Sequence, residues 1–183
     1  MGDLSLKSHF IRMATYNSWA FKKLYDSLEC VTQEKYKEDA GLYFKSIHGT
    51  LVHLFLSSKL WYHRLTGIIE NVETFTHQIE SYWTKTPEEW EEAVKDRLVL
   101  RDFSFKECIL WIDYVNTLLP EQFEQKFTYT STDGEKVERN RSICLDHIFN
   151  HFTHHRGQIT AAITKLYGRD SCPCLDLTMM DIK

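Results

Sequence analysis

The stretch HIFNHFTHHRGQ, residues 147–158, places four histidines in twelve residues, and its periodicity decides how the chain is read. With Ile148 at 0° and about 100° per residue, Leu145, Phe152, Ile159 and Leu166 fall within roughly 60° of one direction. That spacing is helical, and the apolar direction must face a core. On the same wheel His155 falls near −20°, inside the apolar stripe, and His151 near −60°, at its edge. The two are neighbours at i,i+4, where two imidazoles can share one metal. His154 lies about 100° from His155 and points elsewhere. His147 continues the column one turn earlier, too far along the axis to share a metal with His155, and reads as a supporting or core residue.

Working outward, the helix that carries this stretch starts near Ser142 and ends at Gly168, a natural C-terminal cap. Before it, FTYTSTDGEKVERN reads as a short hairpin: Phe127 to Thr130 are strand formers, Asp133-Gly134 is a turn signal, and Lys136 to Glu138 return. Thr86-Pro87-Glu88-Glu89 is a helix start with a Thr cap, Pro at the first position and a Glu placed to close a capping box. That helix is expected to run to Leu119, where Pro120 stops it. Two further helices are expected upstream, from about Leu4 to Val31 and from about Tyr43 to Leu65, the second roughly 35 Å long. Residues 68–85 read as a long loop. The pattern predicts an all-α protein, a four-helix bundle with one short β-hairpin between the third and fourth long helices, in one domain spanning residues 1–183.

Bulk properties agree. A chain of 183 residues, 43% hydrophobic, has the material for one substantial core. A net charge of −4 gives no basic footprint for nucleic acid. Apolar runs are too short for a membrane span, and the N-terminus lacks a signal-like apolar segment, so the chain is read as soluble and cytoplasmic. Five cysteines, including Cys172 and Cys174 around Pro173, show no disulfide framework and read as free thiols. Trp83, Trp90 and Trp111 would serve either a homodimer contact or ordinary core packing.

A lone histidine pair on a helix is more often a satisfied interior pair than a metal site, so a third ligand from another helix is required. The second helix offers His48, His53 and His63. Its stripe of Ile47, Leu51, Phe55, Ser58 and Tyr62 favours His48 over His53, yet Val52, Leu56 and Leu60 make the opposite side apolar too. Periodicity leaves the choice open. No acid stands three residues before any histidine, which removes the Glu-x-x-His pairs of di-iron bundles, and no HExxH pair is present.

Three segments together resemble the DinB/YfiT-like family of metal-dependent enzymes: ATYNSWAFKKL (14–24), SIHGTLVHLFLSSKLWYHRLTG (46–67) and NHFTHHRGQ (150–158). The resemblance covers most of the chain and includes the hairpin and the closing CPCLDLTMM. It implies a four-helix bundle binding one divalent metal, zinc or nickel, through His53, His151 and His155. Three neutral imidazoles would leave an open coordination position, and with it the means to activate water or a low-molecular-weight thiol for hydrolysis or thiol transfer. The implied partner is a small-molecule substrate. Tyr16, Asn17 and Gln158 are candidates to orient a ligand or substrate, and Arg156 is expected to pair with an acid on another helix. Which residue performs the chemistry is not indicated. Two other classes of function stay open: a stress protein that binds metal or ligand without turnover, and a dimerisation module with a vestigial site.

Overall fold

The computed structural model describes residues 6–67 and 86–180. The expected loop over residues 68–85, with Trp83, lies outside the described residues. Four long helices form the bundle: α1 (Leu6–Leu28), α3 (Ile47–Thr66), α5 (Arg97–Thr117) and α6 (Arg141–Tyr167). Two short ones, α2 (Gln33–Lys37) and α4 (Pro87–Glu91), lie between them, and strands β1 (Lys126–Thr130) and β2 (Lys136–Asn140) make the hairpin before α6. Each of α1 and α3 packs along both α5 and α6, and α2 and α4 pack on α3.

Local chemistry sets most boundaries. Ser46 caps α3 by accepting the Gly49 N–H at 2.8 Å, and Gly67, at φ 72°, closes its C-terminus. The second helix therefore starts at Ile47 rather than Tyr43, whose side chain is exposed in the preceding turn. The first helix stops at Leu28, and Thr32 caps α2. The hairpin is antiparallel with Tyr129 opposite Val137, and Gly134 supplies the positive φ that the turn requires. The expected third helix is divided. Thr86 and Glu89 close the capping box of α4, but Asp96 then starts a new helix by accepting the N–H groups of Leu98 and Val99 at 2.8 and 2.9 Å. The break lets α4 turn onto α3 while α5 joins the bundle.

The interior of α3 explains why its periodicity is uninformative. Every residue from Ser46 to Leu60 is buried, because α2 and α4 cover the side that α5 and α6 leave open. The burial includes a Lys59–Glu107 ion pair at 2.6 Å, and the other Glu107 oxygen accepts from the Ser58 hydroxyl at 2.8 Å. Trp111 is fully buried and donates its indole N–H to Ser58. Trp90 is buried as well, so these two tryptophans pack inside the protomer and offer no exposed aromatic surface. The five cysteines are free thiols. Among the described residues no helix is long and apolar enough to cross a membrane.

Candidate metal centre

His151 and His155 project from α6 towards α3 with their ring centroids 4.5 Å apart. His155 is buried and His151 half-buried, in the order that their wheel positions predict. From α3, His53 meets them: its Nε2 lies 3.0 Å from Nε2 of His151, and its ring centroid is 4.7 Å from that of His155. One nitrogen from each of the three lies within 4.8 Å of the others. His48 is buried elsewhere, its ring 5.3 Å from that of Tyr36. Five residues along a helix turn a side chain by about 140°, so His48 and His53 cannot face the same partner.

Burial governs the protonation of the cluster. Desolvation, followed by the mutual repulsion of the rings, pushes the His53 pKa down to about 2 and that of His151 to about 3. His155 is also lowered, chiefly by burial. All three are thus neutral at physiological pH, each with a lone pair available. The His155 tautomer is set by Gln158, whose Oε1 lies 2.7 Å from Nδ1. With the Nδ1–H donated there, the lone pair resides on Nε2.

The fit to a metal can be tested from these distances. Nitrogens on a tetrahedral Zn²⁺ with bonds of 2.0–2.1 Å lie roughly 3.3 Å apart. The 3.0 Å His53–His151 separation and the 4.8 Å limit for the trio bracket that value. The donor set, entirely imidazole, suits zinc, nickel, copper or iron.

The other sequence candidates fall in different places. Tyr16 donates its hydroxyl to the Leu175 carbonyl at 2.7 Å, securing the C-terminal segment. Asn17 accepts from Arg156, and its amide reaches the Cys108 sulfur. Their hydrogen bonds therefore serve packing rather than the histidine cluster, and of the three orienting candidates Gln158 alone is bonded to one of its rings. No acid pairs with Arg156 among the described residues. Among the described residues its buried guanidinium pairs with Asn17 and Thr153, under the rings of Tyr16 and Phe21. His147 is exposed rather than core: it packs on Trp61 and lies parallel to His151 at the rim.

Sequence reasoning missed the aromatic surroundings. Phe44, in the turn before α3, stacks on His53 with centroids 3.9 Å apart and planes 17° apart. Trp90 of α4 stacks on it at 5.2 Å. Neither residue belongs to a histidine motif, and only the tertiary docking of α4 brings Trp90 there. The one legible trace was Gly49 in Gly-Thr-Leu-x-His. A Cβ at this position would lie 2.4 Å from the Phe44 carbonyl oxygen and 2.8 Å from Glu91 Oε1.

The family model described as DinB family matches residues 2–181. Protein DinB of Bacillus subtilis (strain 168) is 27% identical over 175 residues, which cover 94% of this chain and 91% of that protein. No solved structure matches the chain significantly.

Proposed function

The chain belongs to the DinB family, and from that premise we propose that it is a mononuclear, divalent-metal-dependent enzyme acting on a small molecule by thiol transfer or hydrolysis. The observation that carries the reading is the convergence of His53, His151 and His155 from two helices, their nitrogens within 4.8 Å and their rings kept neutral by burial. Zinc or nickel is the proposed ion. When bound to three neutral ligands it would keep its full charge and an open position, and so would lower the pKa of a water or thiol ligand and polarise an acceptor.

The chain's own contribution is preorganisation. The α6 backbone holds His151 and His155 one turn apart, Gln158 fixes the tautomer of His155, and the aromatic side chains around His53 keep water from its face. The half-buried His151 and the exposed His147 and His154 mark the side from which a substrate approaches. A small thiol is the favoured nucleophile because its pKa lies closer to neutrality than that of water, so less lowering is needed to generate the anion.

The test begins with metal analysis of protein purified without an affinity tag, alongside His151→Ala. The expected result is one zinc or nickel per chain, lost in the variant. A panel of small thiols with electrophilic acceptors, run beside ester and amide substrates, then assigns the reaction. Absence of stoichiometric metal from the parent would overturn the proposal, and metal without turnover across the panel would leave a binding protein.

A further inference from the structure

Metal-binding histidines ordinarily have the ring nitrogen that faces away from the metal tied by a hydrogen bond, which fixes the ring. His155 follows this rule through Gln158. His53 does not. Its Nε2 faces His151 and lies 3.4 Å from the Ser57 hydroxyl, while its Nδ1, like that of His151, is buried without a hydrogen-bond partner among the described residues. What meets the ring instead is aromatic carbon. His53, Phe44 and Trp90 form a triangle of near-parallel rings, with centroid separations of 3.9, 5.2 and 5.5 Å and interplanar angles of 17°, 29° and 28°. A ring stacked at 3.9 Å cannot turn about its Cβ–Cγ bond without driving an edge into its neighbour, so stacking fixes the plane that a hydrogen bond would otherwise fix.

Each ring comes from a different segment, and one small network holds the three together. The Ser46 hydroxyl donates to the Glu91 carboxylate and accepts the Gly49 N–H, tying α4 to the N-terminus of α3. Glu91 is the residue after Trp90. The missing side chain at Gly49 provides the space in which the Phe44 carbonyl and Glu91 approach α3. Phe44 and Trp90 are 8% and 6% exposed, so the stack is an interior feature rather than a surface contact.

We propose that Phe44 and Trp90 are positioning residues, which orient the His53 imidazole towards the metal by stacking and take the place of a hydrogen bond at its Nδ1. The proposal rests on the reading of His53 as a ligand. It assigns α4 a purpose: this short helix, separated from α5 by the Asp96 cap, carries the tryptophan to the histidine.

The test uses the full chain with two readouts, on the parent, Trp90→Leu, Trp90→Phe and Phe44→Leu. In metal-free protein with labelled histidine, NMR of the His53 ring protons should show upfield ring-current shifts. These should shrink in each leucine variant, most in Phe44→Leu, which removes the nearer ring, and persist in Trp90→Phe. Titration with cobalt(II), followed by its visible absorption, should show binding weakened roughly 10- to 100-fold in the leucine variants and within about threefold of the parent in Trp90→Phe. Circular dichroism of each variant guards against loss of fold, and Phe44→Leu carries the same test if Trp90→Leu does not fold. Parent-like shifts and cobalt affinity in the leucine variants would overturn the proposal, as would a loss in Trp90→Phe equal to that in Trp90→Leu. A parent that takes up no cobalt would instead overturn the reading of the site, and this proposal with it.

Discussion

The same substitution at two helical glycines should have opposite effects. Gly157, on the exposed face of α6, has helical backbone and nothing within 4 Å of the position a Cβ would occupy. Gly157→Ala should therefore gain the helix-propensity difference alone, about 1 kcal/mol. At Gly49 the same gain is opposed by an overlap with the Phe44 carbonyl oxygen at 2.4 Å, a backbone atom that cannot rotate aside. Overpacking of this kind costs about 1–3 kcal/mol. The second contact, Glu91 Oε1 at 2.8 Å, can be relieved only by moving the carboxylate that accepts from Ser46, which sacrifices about 1 kcal/mol more. Gly49→Ala should thus be destabilised by about 1–3 kcal/mol net. At about 2–4 °C per kcal/mol for a chain of this size, the melting temperature should fall by roughly 2–12 °C, against a rise of about 2–4 °C for Gly157→Ala. Urea and thermal unfolding of the metal-free proteins provide the measurement. A Gly49→Ala protein as stable as the parent would refute the close approach of Phe44 and Glu91 to α3, and with it the account of how α4 is held.

Three further outcomes follow from the same geometry. Burial, with a smaller contribution from Lys37, pushes the His48 pKa down from 6.5 to about 4, and the backbone of Glu91 and Val94 and the Glu92 carboxylate only partly offset this. The unfolded chain therefore binds a proton between those values that the folded chain refuses. Stability from this group is complete above pH 6.5 and declines as pH falls towards 4, by about 2 kcal/mol at pH 5. Urea midpoints measured from pH 7.5 to 5 should fall less steeply in His48→Gln, and an unchanged slope would contradict the burial argument. Lys59→Met removes the ammonium paired with the buried Glu107 carboxylate and should cost about 3–5 kcal/mol, whereas Lys59→Met with Glu107→Leu should recover most of the loss. Denaturant unfolding of the singles and the double decides it, and a double as unstable as Lys59→Met would show that the polar network, not the lost ion pair, sets the cost. His154→Ala should leave metal content at the parent level while His155→Ala abolishes it, because the exposed His154 lies outside the converging trio. Equal losses in the two would refute the assignment from helical geometry.

The fold was legible where its signals are local. Thr86-Pro87, Asp133-Gly134 and Gly168 each constrain only a few neighbouring residues, and the elements they bound appear where those residues place them. The break between α4 and α5 was not legible. Asp96 resembles any polar residue on a helix surface until its carboxylate is seen bonded to Leu98 and Val99. The pair on α6 could be read from periodicity because that helix has one buried face. The choice between His48 and His53 could not, because an apolar stripe has meaning only when the opposite face meets water, and α3 is covered on every side. The resemblance pointed to His53, the residue that the structure brings to the pair. It also pointed to Tyr16 and Asn17, whose hydrogen bonds prove to tie α1 to the C-terminal segment and to α6.

The covered helix that defeats sequence reading is also what makes the site chemically distinct. An imidazole on an exposed helix face can take a proton near neutral pH, and would then have to release it before binding a metal. Placing His53 on a helix buried all round raises the cost of that proton so far that the ring stays neutral well into acid. The same burial leaves Nδ1 without a hydrogen-bond partner among the described residues, and aromatic stacking holds the ring by a contact that needs no polar atom. Gly49, Ser46 and Glu91 then cease to be three separate details. They are the conditions under which a turn and a short helix come close enough to a fully packed α3 to place rings against His53. The burial that secures the protonation state of His53 thus creates the need for α4, and the Asp96 cap, by ending α4 before the bundle resumes, is how the sequence meets it.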